Sequence, residues 1–242
     1  MRLAVMQPYF FPYLGYYQLA RSVDHFVFLD DAAFIKSGFI NRNQILVGGQ
    51  PFRFTIPVAE ASQNRPIMAH QYTGQFRRFL LQLRQEYAHA PFFASVFPMI
   101  EALVLDADLN VARKNADSIR LVFDHLGLPL SCAPASQSGA GTARGQERIL
   151  ALCERHGATA YHNASGGKGL YDAAAFATRG IQLRFLHNRF PIYAQGPTGT
   201  FVPGLSIIDV LMHVPPQEAR AMLEAYDVEP AVPGSPSGAS VP

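Results

Sequence analysis

Two short apolar runs flank a proline-bracketed aromatic segment at the start of the chain, and that arrangement constrains the fold more than any other feature. Residues 3–6 read as a buried strand closed by Gln7-Pro8. Pro8 and Pro12 then hold a loop rich in Tyr and Phe, where Gly15 permits a close backbone approach or a positive φ. Residues 16–23 are predicted to be helical, with Leu19 and Val23 on one face. Residues 25–29 form the second apolar run, ended by Asp30-Asp31. Strand, loop, helix and strand within about 30 residues is the βαβ unit of a parallel sheet. Asp30 and Asp31 then fall at the carboxyl end of the second strand, where open α/β sheets bind ligands.

The rest of the chain extends the same logic. Residues 52–58 alternate like a strand after the Gly48-Gly49 turn. Helices are predicted over 75–87, 93–105 and 110–126, the last closed by Gly127 and Pro129, so a helical insert of about residues 70–128 is expected. Further on, a helix over 146–156, a strand over 158–162, a glycine-rich loop, a helix over 170–178 and a strand over 181–185 repeat the α/β pattern. The expected fold is α/β, with a parallel-rich central sheet, helices on both faces and the insert. Residues 1–229 are read as one domain. The tail, residues 230–242, is dense in Pro, Gly and Ser and is expected to be disordered.

Composition narrows the function classes. The chain has 242 residues, of which 49% are hydrophobic, so it can bury a large core and global disorder is excluded. A net charge of +2 is too small to suggest a nucleic-acid footprint. Two cysteines, Cys132 and Cys153, make neither a disulfide framework nor a zinc-ligand spacing, and the histidines form no metal triad. There is no apolar run of about 18 residues to span a membrane. The N-terminus turns polar and aromatic too early for a signal peptide, so a cytoplasmic location is the default expectation.

Residues 6–45 hold the densest set of chemically useful groups. Gln7 and six aromatic residues between Tyr9 and Tyr17, among them Tyr13, precede Asp30, Asp31, Lys36, Asn41, Arg42 and Asn43. The acidic doublet suits Mg²⁺, sugar hydroxyls, a plain turn or a helix cap, and strand alternation sends its two carboxylates to opposite faces. Arg42 offers a planar fork for phosphate or carboxylate, and its Asn neighbours offer uncharged donors and acceptors; a turn with an exposed Arg fits equally. Lys36 is a phosphate contact or a surface lysine. Ser165 to Gly169, with Lys168, resembles an anion-binding loop but lacks the P-loop spacing, and an ordinary strand–helix turn explains it as well. Ser206 with Asp209 three residues later forms a capping-box-like helix start, or a helix N-terminus aimed at an anion. No nucleophile elbow and no dinucleotide glycine motif is present.

Residues 6–16, the run Phe26-Val27-Phe28-Leu29-Asp30-Asp31, Phe34-Ile35-Lys36 and Asn41-Arg42-Asn43 resemble the WbqC-like protein family. Gly157 to Tyr161, the 165–171 loop and residues 205–209 add to the likeness, which runs from about residue 3 to 227. Two departures stand out: Ala32-Ala33 replaces the family's Val-Gln after the acidic pair, and Phe39 replaces its Trp. If that Gln touches substrate in relatives, a different substrate is implied here. The resemblance implies a place in bacterial surface-polysaccharide or natural-product biosynthesis. The opening is also distantly similar to nucleotidylyltransferases and pantothenate-synthetase-like ligases, but lacks their two histidines.

Three functions follow as expectations. The first is a transferase that forms an amide by moving an acyl or aminoacyl unit onto an amine such as an amino sugar. Asp30, Asp31 and Lys36 would be catalytic. Gln7, Tyr9, Tyr13, Gly15, Asn41, Arg42, Asn43, Ser165, Lys168, Ser206 and Asp209 would bind substrate. Its partners would be a small molecule, such as a nucleotide sugar or amino acid, and an acyl or peptidyl carrier protein. The second is an ATP-dependent ligase or nucleotidyltransferase using the Lys168 loop and the Ser206 helix start. The third is a non-catalytic binding or assembly protein of the same pathway. Which cofactor, if any, takes part is left open, and no metal site is expected.

Overall fold

The computed structural model describes residues 1–139, 141, 143–196 and 199–231. Its centre is a six-stranded sheet ordered β5-β2-β1-β6-β7-β8. The strands are β1 (Arg2–Met6), β2 (His25–Phe28), β5 (Cys132–Pro134), β6 (Ala160–Ala164), β7 (Gln182–Asn188) and β8 (Tyr226–Pro230). Neighbours pair in parallel except β8, which runs antiparallel to β7. A separate hairpin joins β3 (Arg42–Val47) to β4 (Gln50–Thr55).

Strand alternation sorts the apolar side chains onto two faces. Ala4, Phe26 and Phe28 enter one core, with the helices α1 (Leu14–Arg21), α2 (Arg77–Tyr87), α3 (Phe93–Leu105), α4 (Val111–His125), α7 (Ile207–His213) and α8 (Pro216–Leu223). Leu3, Val5 and Val27 enter the other, with α5 (Gly145–Arg155) and α6 (Ala173–Thr178). Both faces of the sheet are thus covered, which is why its central strands read as unbroken apolar runs. Helices α2 to α4, between β4 and β5, are the expected insert.

Local chemistry sets the boundaries. Gly48 and Gly49 both have positive φ, 57° and 75°, as a two-residue type I′ hairpin turn requires. Helix α4 begins where the Asn110 side chain accepts the Arg113 N–H, and it ends at Gly127 with φ 61°. The opening helix starts at Leu14, two residues before the expected start, because Tyr13 is extended and Pro12 precedes it. The Asn41-Arg42-Asn43 run leads into strand β3. The glycine-rich loop forms a 3₁₀ turn over Ser165–Leu170, so the following helix begins only at Ala173.

The sequence carried no reading for β5, three residues long, or for β8. Strand β8 takes in Pro230, and the Ala231 N–H donates to the Leu183 carbonyl, so the sheet holds the first two residues of the segment expected to be disordered. Residues 232–242 of that segment lie outside the described residues. Among the described residues no helix is long and apolar enough to cross a membrane.

One buried histidine gives the fold a pH dependence. His162 on β6 is 3% exposed, with Nδ1 3.1 Å from the Ser22 hydroxyl. Burial, reinforced by the charges of Arg2 and Arg184 and opposed by Asp24, holds its pKa down at about 4, against 6.5 for a free imidazole. The unfolded chain therefore takes up a proton at His162 that the folded chain refuses, and stability falls as pH drops from 6.5 toward 4. In urea titrations across that window, His162→Gln should lose stability less steeply than the parent. An unchanged slope would contradict this.

Candidate functional site

The carboxyl ends of β1, β2, β5, β6 and β7 share one edge because these strands are parallel. Successive strands are laid down on one side of β1 as far as β5 and on its other side from β6 onward. The chain thus reverses direction between β1 and β6, and a crevice opens at such a switch point. Gln7 follows β1 there, Asp30 and Asp31 follow β2, Ser136 follows β5, the Ser165–Leu170 turn follows β6, and Arg189 and Phe190 follow β7.

The aromatic segment after β1 is pinned from inside. Phe10 and Phe11 are fully buried. Phe11 is in the left-handed region, φ 42°, which costs a non-glycine residue about 1–2 kcal/mol. Its carbonyl accepts Asn43 Nδ2 and Ser206 Oγ, each at 2.7 Å, and its N–H donates to Ser118 Oγ at 3.2 Å. Asn115 Nδ2 donates to the Pro8 and Ile40 carbonyls. Asn43 and Ser206 are therefore turned inward to hold the segment, and Ser206 also caps α7. Gly15 is required by close approach: a Cβ there would stand 2.4 Å from the Tyr13 ring and 2.9 Å from Asn188 Nδ2. Tyr13 packs on Phe190, with ring centroids 6.1 Å apart.

The pinned segment leaves polar groups at the mouth. Tyr16 Oη donates to the Gln7 carbonyl, and Tyr9 Oη lies 3.4 Å from Gln7 Oε1. Gln7 Nε2 has no partner among the described residues. The Tyr9 and Phe39 rings are 6.2 Å apart, and Ile35, Phe39, Leu170 and Phe190 stand exposed on segments that follow β2, β6 and β7. An apolar rim thus borders the same edge, and sequence reasoning missed it because single exposed apolar residues carry no pattern.

The two acids lie in the turn that follows β2, not in the strand, and they go to different partners. Asp30 is buried; its Oδ1 accepts the Ser136 N–H at 2.9 Å and its Oδ2 the Ser136 hydroxyl at 2.6 Å, tying β2 to β5. Asp31 is paired through Oδ2 with Arg148 of α5, and its side chain stays 26% exposed. Lys36 is exposed, and no carboxylate pairs with it among the described residues. Asn41 Nδ2 donates to the Ile56 carbonyl and Arg42 Nε to the Gly38 carbonyl, so both stabilise loops at the hairpin base.

The glycine-rich turn is shaped by packing. A Cβ on Gly167 would stand 2.3 Å from Asn163 Nδ2. Lys168 Nζ is 2.5 Å from Glu229 of β8, whose carboxylate also meets His187 Nε2 at 2.8 Å. Ser165 opens the turn, and its hydroxyl takes no part in capping it. Asp209 is fully buried on α7 and accepts hydrogen bonds from Tyr87 Oη at 2.8 Å and Tyr193 Oη at 2.7 Å. It joins α2, α7 and the segment after β7, away from solvent.

Residues 7–221 match the family model described as WbqC-like protein family, beginning at Gln7, the first residue of the pinned segment. The chain belongs to the WbqC-like family. It is also similar to a protein of Mycobacterium tuberculosis (strain ATCC 25618 / H37Rv) named "Uncharacterized protein Rv1507c". Identity is 25% over 218 residues, covering 88% of this chain and 94% of that one. No solved structure matches.

In this WbqC-like chain the switch-point edge gathers Gln7, Tyr9, Asp31 and the turn bearing Lys168, whereas Asp209 and Ser206 lie within the helical side. Nothing local to Asp31 points to Arg148, which lies 117 residues from the carboxylate it clamps. Nor did the sequence signal Ser136, Asn163 or the Tyr87–Tyr193 pair. A cleft of about 850 Å³ is walled by β4 and α2 and includes none of the edge residues.

His213, beside Asp209 on α7, gives the fold a second pH dependence. Burial lowers the pKa of His213, the hydrogen bond and charge of Asp209 raise it, and the raising effects win. A folded pKa above the unfolded 6.5 means the stabilisation is complete below that value and is lost as pH rises through the folded pKa. NMR titration should place His213 above 6.5 in the parent and below it in Asp209→Asn, where burial acts with the carboxylate charge gone. A His213 pKa unchanged by the substitution would refute the pairing.

Proposed function

We propose that this WbqC-like protein is a biosynthetic transferase that forms an amide by moving an acyl or aminoacyl unit onto an amine, such as that of an amino sugar, in a surface-polysaccharide or natural-product pathway. The observation that carries this reading is the unpartnered Gln7 Nε2, with the Tyr9 phenol beside it, at the switch point, on the same edge as the partly exposed Asp31 carboxylate. An uncharged amide and a phenol suit recognition of an acyl carbonyl and sugar hydroxyls. The apolar rim of Ile35, Phe39 and Leu170 suits an acyl chain or a pantetheine arm.

Asp31 takes the reactive role. Arg148 fixes one carboxylate oxygen, and the other has no partner among the described residues. That oxygen receives the proton as the amine attacks the acyl carbon; the C–N bond forms, the bond to the thiolate breaks, and the thiolate leaves. Asp30, with both oxygens on Ser136, supports the loop. Lys36 meets the donor's anionic portion. Cys153 is buried, with its thiol pushed up to about 12, which suits direct transfer without a cysteine intermediate. An acyl or peptidyl carrier protein, or a small thioester, supplies the donor in the cell interior.

The strand order favours one second reading. A doubly wound sheet with its switch point beside β1 suits a nucleotide, hence an ATP-dependent ligase or nucleotidyltransferase. Against it, Lys168 is already paired with Glu229.

The test offers acyl and aminoacyl thioesters with a panel of amino sugars and amino acids, following thiol release and amide mass, and runs ATP in parallel to detect AMP or ADP. Amide formed without nucleotide turnover is expected, and Asp31→Asn, assayed below its own melting temperature, should lower its rate about 10²–10⁴-fold. Release of AMP or ADP would support the ligase. Binding of a sugar nucleotide without turnover of any donor would point to a non-catalytic pathway protein, and full activity in Asp31→Asn would remove the proposed base.

A further inference from the structure

The 850 Å³ cleft between the hairpin and the insert has the build of a peptide groove. One wall is residues 52–55 of β4 with Ile56 and Pro57 after it; the other is one face of α2, with Arg78, Leu81, Gln82 and Gln85. The hairpin register shows which backbone groups face the groove. The Ile56 N–H donates to the Asn41 carbonyl, so Asn41–Ile56 is a hydrogen-bonded pair, and pairs alternate along the ladder. Phe54 and Phe52 therefore bond to β3, while the N–H and C=O groups of Arg53 and Thr55 point outward. Those outward groups have no partner among the described residues. An open strand edge with unused backbone groups is a template for another strand.

Charge selects the occupant. Arg53, Arg77 and Arg78 border the cleft, and none is paired with a carboxylate among the described residues, whereas Arg84 on the same helix is paired with Glu101. Leu81, 48% exposed, and the half-buried Phe52 add apolar surface between the cations. We propose that this groove binds an extended acidic segment of a partner protein, which adds as a strand to the outer edge of β4 while its carboxylates meet the three arginines. A strand edge facing a helix is the setting of strand-addition recognition, in which main-chain bonds supply affinity and side-chain pockets supply specificity. A second copy of the chain would set the three arginines against their own kind. The chain's own last residues, Val232 to Pro242, contain three prolines and no acid, so they match neither the edge nor the charge. This site uses no residue of the transferase reading, so either can fail alone.

The test is fluorescence anisotropy with the full chain and a labelled peptide of alternating Glu and Val. Saturable binding is expected. N-methylation of every second peptide amide should weaken it about tenfold or more in one register and little in the other, since only one set of amides faces β4. Arg77→Glu combined with Arg78→Glu, both on the exposed surface of α2, should weaken it by about tenfold or more, and a Lys/Val peptide should not bind. Absence of saturable binding, equal loss in both methylation registers, or equal binding of the Lys/Val peptide would overturn the proposal. So would displacement of the peptide by an equimolar amount of inorganic phosphate, or a dimer of the chain alone that the paired substitution dissolves.

Discussion

The Phe11 carbonyl organises more of this molecule than any other single group. It sits on a residue held in the left-handed region and accepts hydrogen bonds from Asn43, which belongs to the hairpin, and from Ser206, which starts α7. Three parts of the chain, separated widely in sequence, thus meet at one oxygen. The strain of a non-glycine residue at positive φ persists only where surrounding contacts over-determine it. Here burial of Phe10 and Phe11 supplies that determination, aided by Asn115 and Ser118 of the insert. Sheet and helical insert form a continuous core through this segment. The consequence for function is positional: with the next turn fixed, Gln7 and Tyr9 are held at the end of β1.

Charge is deployed in two ways. At the sheet's carboxyl edge, Arg148 holds Asp31 and Lys168 meets Glu229, so these ions position loops as much as they await a ligand. Along β4 and α2, Arg53, Arg77 and Arg78 border a cleft, and among the described residues none of them is paired with a carboxylate. Paired charge holds local geometry, and the unpaired arginines are the ones to which the proposal assigns an acidic partner. The two regions therefore suggest separate tasks, chemistry at the switch point and recognition on the insert's flank.

Much of the architecture was legible in the sequence. The βαβ opening, the parallel-rich sheet, the helical insert and the late α/β repeat all follow from apolar periodicity and glycine or proline stops, because those signals are local. Strand β5 was not legible: three residues are too few for any pattern, and its partner β2 lies about a hundred positions away. Strand β8 was hidden because its buried face is small. The side-chain roles were harder still. Asn43 and Ser206 have the composition of ligand contacts, yet both turn inward, since a strained carbonyl in the core draws the nearest donors. Asp30 and Asp31 are alike in sequence and differ only through Ser136 and Arg148, partners that tertiary packing brings in.

Because Asn43 and Ser206 donate to one carbonyl, either can still satisfy it when the other is removed, and only the double loss orphans it. A double-mutant cycle of Asn43→Ala and Ser206→Ala, read by urea denaturation of the whole chain, isolates that shared bond from the separate capping role of Ser206. The double variant should be less stable than the sum of the singles by roughly 0.5–3 kcal/mol. Additivity to within about 0.3 kcal/mol would show that the two side chains act independently and that nothing converges on Phe11.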